Sequence, residues 1–419
     1  MAERLGSGLQ IRLQRFNSAS HLQFSESSFP KAARVRQQNP IMSKSTTGHG
    51  VRTGRALVIG RGASGRAAAS ALASGGLSVD FAEGFDIVVA SPGMRVVSEL
   101  QYGVGLLRER GVRMLAVTGS KGKSSVVKVV ADALRLAGLR AEACGNYGLP
   151  VSEVAQEDPP PDWAVVEVSS FMMETTNLAP GTFEAAALLN LQEDHLDRHG
   201  SVEVYHALKR RLLPMAKLAI DATDPASLDL SAAGLLAGSY FDNDVLRANG
   251  LAAVALMRAA GLDGGTVRAA FAAFEPLPHR MNEIGVFGGV RFIDDSKATS
   301  IAALAAGVEM AGEGPVRLIA GGLHKGDDPK TASSLLTKWV KKVYLIGQCA
   351  ESFGQAWSDA VDCEVCGTME RAVEAAMRDA EKGDTVLLSP GAASFDQFQS
   401  FGERGEVFAR LVKKEGKNE

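Results

Sequence analysis

From Ala56 onward the chain alternates short apolar runs with glycine-rich turns and Ala/Leu-rich amphipathic stretches. Short, continuously apolar runs bounded by Gly, Ser or Asp predict buried strands, and the longer stretches between them predict crossover helices. That alternation is the pattern of parallel sheets covered on both faces. Runs at 56–60, 78–82 and 86–91 form a small first unit, with a helix over 66–73. A second unit begins at 114–120, continues through 163–170 and 186–191, and ends in a helical stretch over 247–274. A third starts near His279 and holds strands at 290–296, 316–322, 342–348 and 385–391. The expected fold is α/β in three domains, over 51–102, 103–278 and 279–419, with soft boundaries near 102 and 278.

Residues 1–50 break the pattern. They carry Arg4, Arg12, Arg15, Arg34 and Arg36 among many Ser and Gln, with only Glu3 and Glu26 as acids and no sustained apolar period. The composition is that of an organellar transit peptide. A disordered tail or an over-long start, with Met42 as the initiator, is the preferred reading, and no fold is expected there.

Composition narrows the function. With 419 residues, 46% hydrophobic and 22% charged, the chain can bury several cores, and a formal net charge of -3 provides no basic field for nucleic acid. A small-molecule enzyme fits this balance. No apolar run reaches the roughly 18 residues of a membrane span. Cys144, Cys349, Cys363 and Cys366 are too sparse for a disulfide framework and point to a reducing cytoplasm. Cys363 and Cys366 form a C-x-x-C without a second pair, which argues against a zinc or redox role.

Two glycine loops carry the chemistry. Gly60-Arg61-Gly62-Ala63-Ser64-Gly65 follows a strand and opens a helix, so its amides suit a diphosphate, and Glu83 ends the next strand where a ribose-binding acid sits. A dinucleotide and a UDP-sugar satisfy this loop equally, and a tight packing turn is the plain alternative. The second loop, Thr118-Gly119-Ser120-Lys121-Gly122-Lys123-Ser124-Ser125, also joins a strand to a helix. Its amides, the Lys123 ammonium and the Ser124 hydroxyl converge on a triphosphate and Mg²⁺. Val117 stands where the common spacing has its first glycine.

The G-S-K-G-K-S loop resembles that of the Mur ligase and folylpolyglutamate synthase superfamily. Gly145-Asn146-Tyr147-Gly148, Glu167-Val168-Ser169-Ser170-Phe171, the segment from Asn190 to Asp197, and Asp294-Asp295-Ser296-Lys297-Ala298-Thr299 resemble further family motifs in family order. The string Leu388-Ser389-Pro390-Gly391-Ala392-Ala393-Ser394-Phe395-Asp396-Gln397-Phe398 resembles the D-glutamate-adding branch. The resemblance implies Rossmann-like outer domains around a phosphate-loop ATPase domain. It implies an ATP-dependent ligase that joins D-glutamate to UDP-N-acetylmuramoyl-L-alanine through an acyl phosphate, in peptidoglycan precursor synthesis. A different ligase of the superfamily, or a nucleotide-binding regulator, is the alternative.

The same resemblance distributes roles. Lys123, Glu167, His195 and Lys209 are the expected catalytic residues, with Lys209 carbamylated by CO₂. Ser124, Glu167, His195 and the Lys209 carbamate would hold two Mg²⁺. Residues Gly119 to Ser125 would bind ATP with Asn249, Arg280 and Asp295. Gly62, Ser64, Gly65 and Glu83 would bind the UDP substrate, together with Ser91, Pro92, Gly93 and Asn146. Lys297, Thr299, Lys325, Ser394 and Phe401 would face D-glutamate. Arg210 and Arg211 leave open a plain basic helix face around Lys209. A shortened first unit, a trimmed stretch over 217–245 and Leu246 in place of an ATP-contacting asparagine depart from the family pattern. A monomer acting on small molecules is expected.

Overall fold

The computed structural model describes residues 9–11, 54–82, 88–90, 97–312 and 314–415. Among these, three α/β units follow one another along the chain. The central sheet has five parallel strands in the order Ala141–Gly145, Trp163–Glu167, Arg113–Thr118, Phe183–Leu188 and Ala216–Asp221. Its inner strands are buried on both faces, which explains their unbroken apolar text. Val126, Val130 and Leu134 of helix Lys123–Leu136 pack with Val117, Val165 and Ala187 on one face. Met114, Ala116 and Val166 face the other way, against Leu100, Val104 and Leu107 of helix Glu99–Glu109. That helix runs through residue 102 and shares the core of the central sheet. The helical stretch over 247–274 is two helices, Arg247–Ala259 and Gly264–Ala272, parted at Gly261, whose φ of +90° ends the first.

Six strands build the third unit, in the order Asn282–Phe287, Val290–Asp294, Thr385–Leu388, Val316–Gly321, Val340–Ile346 and Asp362–Gly367. Only the first pair is antiparallel. In both large sheets the chemistry-bearing loops leave the carboxyl ends of the parallel strands, the edge at which α/β ligand sites form.

The first unit is small. Strands Gly54–Ile59 and Leu77–Ala82 pair in parallel, and helix Ala63–Ser74 connects them. Val88–Ala90, expected to extend this unit, instead pairs antiparallel with Leu9–Ile11, a short strand inside the segment expected to carry no fold. No helix among the described residues is long and apolar enough to cross a membrane. The cysteines are free, and Cys363 and Cys366 pack into different cores of the third unit, one beside Phe353 and Trp357 and the other beside Tyr344 and Phe408.

Candidate active site

The middle strand of the central sheet delivers the phosphate loop. Gly122 adopts φ +82° immediately before helix Lys123–Leu136, and a Cβ there would run into the Asn249 amide. A glycine therefore allows the tight entry that leaves the first-turn amides open to an anion. Asn190 holds the loop from its side. It accepts from Lys121 N at 2.8 Å and donates to Lys121 O at 2.9 Å and to Asn249 Oδ1 at 3.3 Å. Gln192 N donates to Ser120 Oγ at 2.9 Å.

Three charged side chains gather under this loop. Lys123 Nζ donates to Gly119 O at 2.8 Å and Ser120 O at 3.1 Å, and burial lowers its pKa against the pull of Glu167. Lys209, on helix Val202–Arg210, is 1% exposed, and its Nζ donates to Gly119 O at 2.7 Å from 4.6 Å above the Tyr205 ring. Burial first, and then the Lys123 ammonium, bring its pKa down to about 7. Arg210 and Arg211 turn elsewhere, to Asp221 and to the carbonyls of Met173 and Thr176. Glu167 is 1% exposed. Its Oε1 accepts from Asn146 Nδ2 at 2.6 Å, and its buried Oε2 has no hydrogen-bond partner.

A buried carboxylate oxygen without a hydrogen-bond partner suits a hard cation. Among the described residues no three His, Cys, Asp or Glu converge, so most donors to such a cation would be hydroxyl or substrate oxygens. His195 stands at the rim with φ +55°, its ring 5.0 Å from Phe171 and 6.2 Å from Tyr205. Asp194 accepts from His195 N at 3.0 Å through Oδ1 and from Lys121 Nζ at 3.1 Å through Oδ2.

Facing this cluster is the loop after strand Val290–Asp294. Arg280 Nη2 donates to Ser124 Oγ at 3.2 Å, and Lys121 Nζ donates to Ser300 Oγ at 3.0 Å. Lys325 Nζ donates to Thr299 Oγ1 at 3.2 Å. Lys297 lies 3.9 Å over the Phe401 ring, and burial with Arg280 and Lys325 nearby brings its pKa down to about 8. Asp295 accepts from Ser389 Oγ at 2.9 Å, and burial raises its pKa to about 7. Ser394 is buried in the adjoining loop.

Arg404 ties these loops together, and the sequence hides it on an amphipathic helix, Phe401–Glu415, as one cation among several. It is 1% exposed and donates to Ser296 Oγ and O at 3.0 and 2.9 Å and to Ala392 O at 3.1 Å. His279 and Asp294, bonded at 2.6 Å, brace the same turn.

The first glycine loop stands apart. Gly60 has φ +94°, and a Cβ on Gly65 would strike the Gly60 carbonyl, so both are needed for the turn. Gly62 and Ser64 are exposed at the helix start. This unit meets the central one through Ser70 Oγ and Gln156 Oε1 at 2.9 Å, on the helix beyond the loop. Glu83, Ser91, Pro92 and Gly93 lie outside the described residues.

Comparison with known proteins gives this geometry a lineage. The family model for the Mur ligase middle domain matches residues 117–231, and that for the Mur ligase glutamate ligase domain matches residues 279–391. UDP-N-acetylmuramoylalanine--D-glutamate ligase of Acidobacterium capsulatum is 33% identical over 382 residues, covering 78% of this chain and 82% of the relative. MurF ligase from Thermotoga maritima, solved in complex with ADP, superposes with a TM-score of 0.59 at 17% identity over 88% of this chain and 96% of its own. The bifunctional folylpolyglutamate synthase/dihydrofolate synthase of Yersinia pestis, solved with AMPPNP and Mn, gives 0.53 at 18% identity over 77% and 95%. A phosphate loop set over a buried lysine, shared motifs in one order and a relative above 30% identity across most of both chains have one common explanation: the chain belongs to the Mur ligase family.

Proposed function

We propose that this chain is an ADP-forming ligase that joins D-glutamate to UDP-N-acetylmuramoyl-L-alanine. The carrying observation is that the phosphate loop and the 294–300 loop face each other, with Lys121 on Ser300 and Arg280 on Ser124. An ATP on the first loop and an amino acid on the second would then meet across that gap. The printed name of the Acidobacterium capsulatum relative and the Leu388 to Phe398 string support D-glutamate as the amino acid.

In this reading a carboxylate oxygen of the UDP substrate takes the γ-phosphoryl group of ATP, releasing ADP and leaving an acyl phosphate. The deprotonated D-glutamate amine attacks the acyl carbon and expels phosphate, forming the amide. Lys123 and Arg280 exchange their present partners for phosphate oxygens and neutralise the transferring charge. Neutral Lys209 adds CO₂ and loses a proton, becoming an anionic oxygen donor. Ser124, Glu167, His195 and the Lys209 carbamate would hold two Mg²⁺, which neutralise phosphoryl charge when bound.

Lys297, Thr299 and Lys325 receive the two D-glutamate carboxylates, with Ser394 and Phe401 closing the site. Asn249 and Asp295 complete the nucleotide site. Gly62, Ser64, Gly65, Glu83, Ser91, Pro92, Gly93 and Asn146 take the UDP substrate. We place one unit boundary near 278 and move the other from 102 to just before Glu99, because helix Glu99–Glu109 packs in the central core, and we place a monomeric protein in the cytoplasm, serving peptidoglycan synthesis and through it cell shape and division. The test is phosphate release from ATP and Mg²⁺. It should require both UDP-N-acetylmuramoyl-L-alanine and D-glutamate, and release that L-glutamate or a folate supports equally would refute the assignment.

A further inference from the structure

We propose that Lys121 is a positioning residue that couples the phosphate loop to the amino-acid loop, its ammonium acting as a clasp between the central and third units. This inference rests on the ligase reading for its kinetic consequence only. Lys121 contributes to the phosphate loop through its backbone, where both peptide groups are clamped by Asn190. Its side chain is directed away from the loop. Nζ donates to Asp194 Oδ2 at 3.1 Å and to Ser300 Oγ at 3.0 Å. Asp194 is the residue before His195, and Ser300 follows Thr299 directly.

Ser300 is also the N-cap of helix Ile301–Met310, its Oγ accepting from Ala303 N at 3.4 Å. One cation therefore touches the phosphate loop, the His195 loop and the cap of the helix that anchors the amino-acid loop. Asp194 receives charge from both sides of the gap, since Lys325 of the third unit also lies within its field. A lysine has the reach and the multiple donors for this, and its hydrogen bond to Ser300 crosses the units with a charged donor.

The clasp makes a structural prediction that needs no substrate. In Lys121→Met, amide hydrogen exchange over residues 297–303 should accelerate at least fivefold, while exchange within helix Lys123–Leu136 holds. Lys121→Arg should restore most of the protection. A reciprocal variant, Ser300→Gly, removes the acceptor at a position where an N-cap tolerates glycine and should accelerate exchange in the 190–195 loop. With ligase activity, Lys121→Met should raise the KM for D-glutamate at least fivefold, and Lys121→Arg should recover it. Unchanged exchange over 297–303 in Lys121→Met, with its melting transition intact, would overturn the clasp. If Lys121→Met does not fold, unchanged exchange at 190–195 in Ser300→Gly overturns it. A wild-type chain that makes no amide would sink the ligase reading and leave the exchange result to judge the clasp.

Discussion

The ammonium of Lys209 donates to the Gly119 carbonyl at 2.7 Å, so the lysine reaches the phosphate loop from a different helix and is buried in doing so. Its neutral form is populated near neutral pH because burial and Lys123 hold its pKa at about 7. Only the neutral amine adds CO₂. Activity should therefore fall as pH drops through about 7, and CO₂ depletion should reproduce the loss at higher pH. The folded state binds fewer protons than the unfolded state between about 7 and the ordinary lysine value of 10.5, so this group's contribution to stability rises with pH across that window. Urea titrations should show that slope in the wild type and a shallower one in Lys209→Met.

On the proposed mechanism, replacing Lys209 by alanine removes the anionic oxygen donor and leaves a space beside Gly119. Turnover should drop by roughly a hundredfold or more, the scale of losing one preorganised electrostatic group. Added formate or acetate should recover part of it by presenting oxygens in that space. Lys209→Arg should fail without rescue, since a guanidinium remains charged and does not carbamylate. Near wild-type turnover in either variant removes Lys209 from the mechanism.

Arg404 supplies hydrogen bonds to the Ser296 and Ala392 loops from a buried position. Arg404→Met strands the Ser296 and Ala392 carbonyls and should cost about 3 kcal/mol, from lost charged hydrogen bonds and unpaired acceptors. The melting temperature of the third unit should fall, and the KM for D-glutamate should rise more than that for ATP. An unchanged melting curve contradicts the bracing role.

Gly122→Ala forces a Cβ into a left-handed residue and against Asn249. The backbone conformation alone should cost about 1–2 kcal/mol. Displacement of the loop should weaken ATP binding at least tenfold by isothermal titration, and unaltered affinity would show that the loop tolerates the side chain.

Much of the fold was legible because inner parallel strands are apolar throughout. Trp163–Glu167, Val316–Gly321 and Thr385–Leu388 read directly as strands for that reason. Edge strands did not. Ala141–Gly145, Ala216–Asp221 and Asp362–Gly367 each leave part of their surface open, so polar residues interrupt the run that would mark them. The antiparallel edge Asn282–Phe287 escaped for the same reason, although Gly288 and Gly289, with φ of +56° and +81°, suit the tight turn that follows it. Within the site, local motifs gave the phosphate loop and the residues on its neighbours. What they could not give was contact between distant segments. Arg404 looks like a solvated helix face until the Ser296 and Ala392 loops close over it. Asp194 looks like part of a motif around His195 until Lys121 and Lys325 approach from two sides.

Oxygen transfer tests the central claim most directly. With ¹⁸O in the carboxylate of UDP-N-acetylmuramoyl-L-alanine, an acyl phosphate route predicts inorganic phosphate carrying one ¹⁸O atom, formed only when ATP, Mg²⁺ and D-glutamate are all present. Amide formation with unlabelled phosphate would contradict the account.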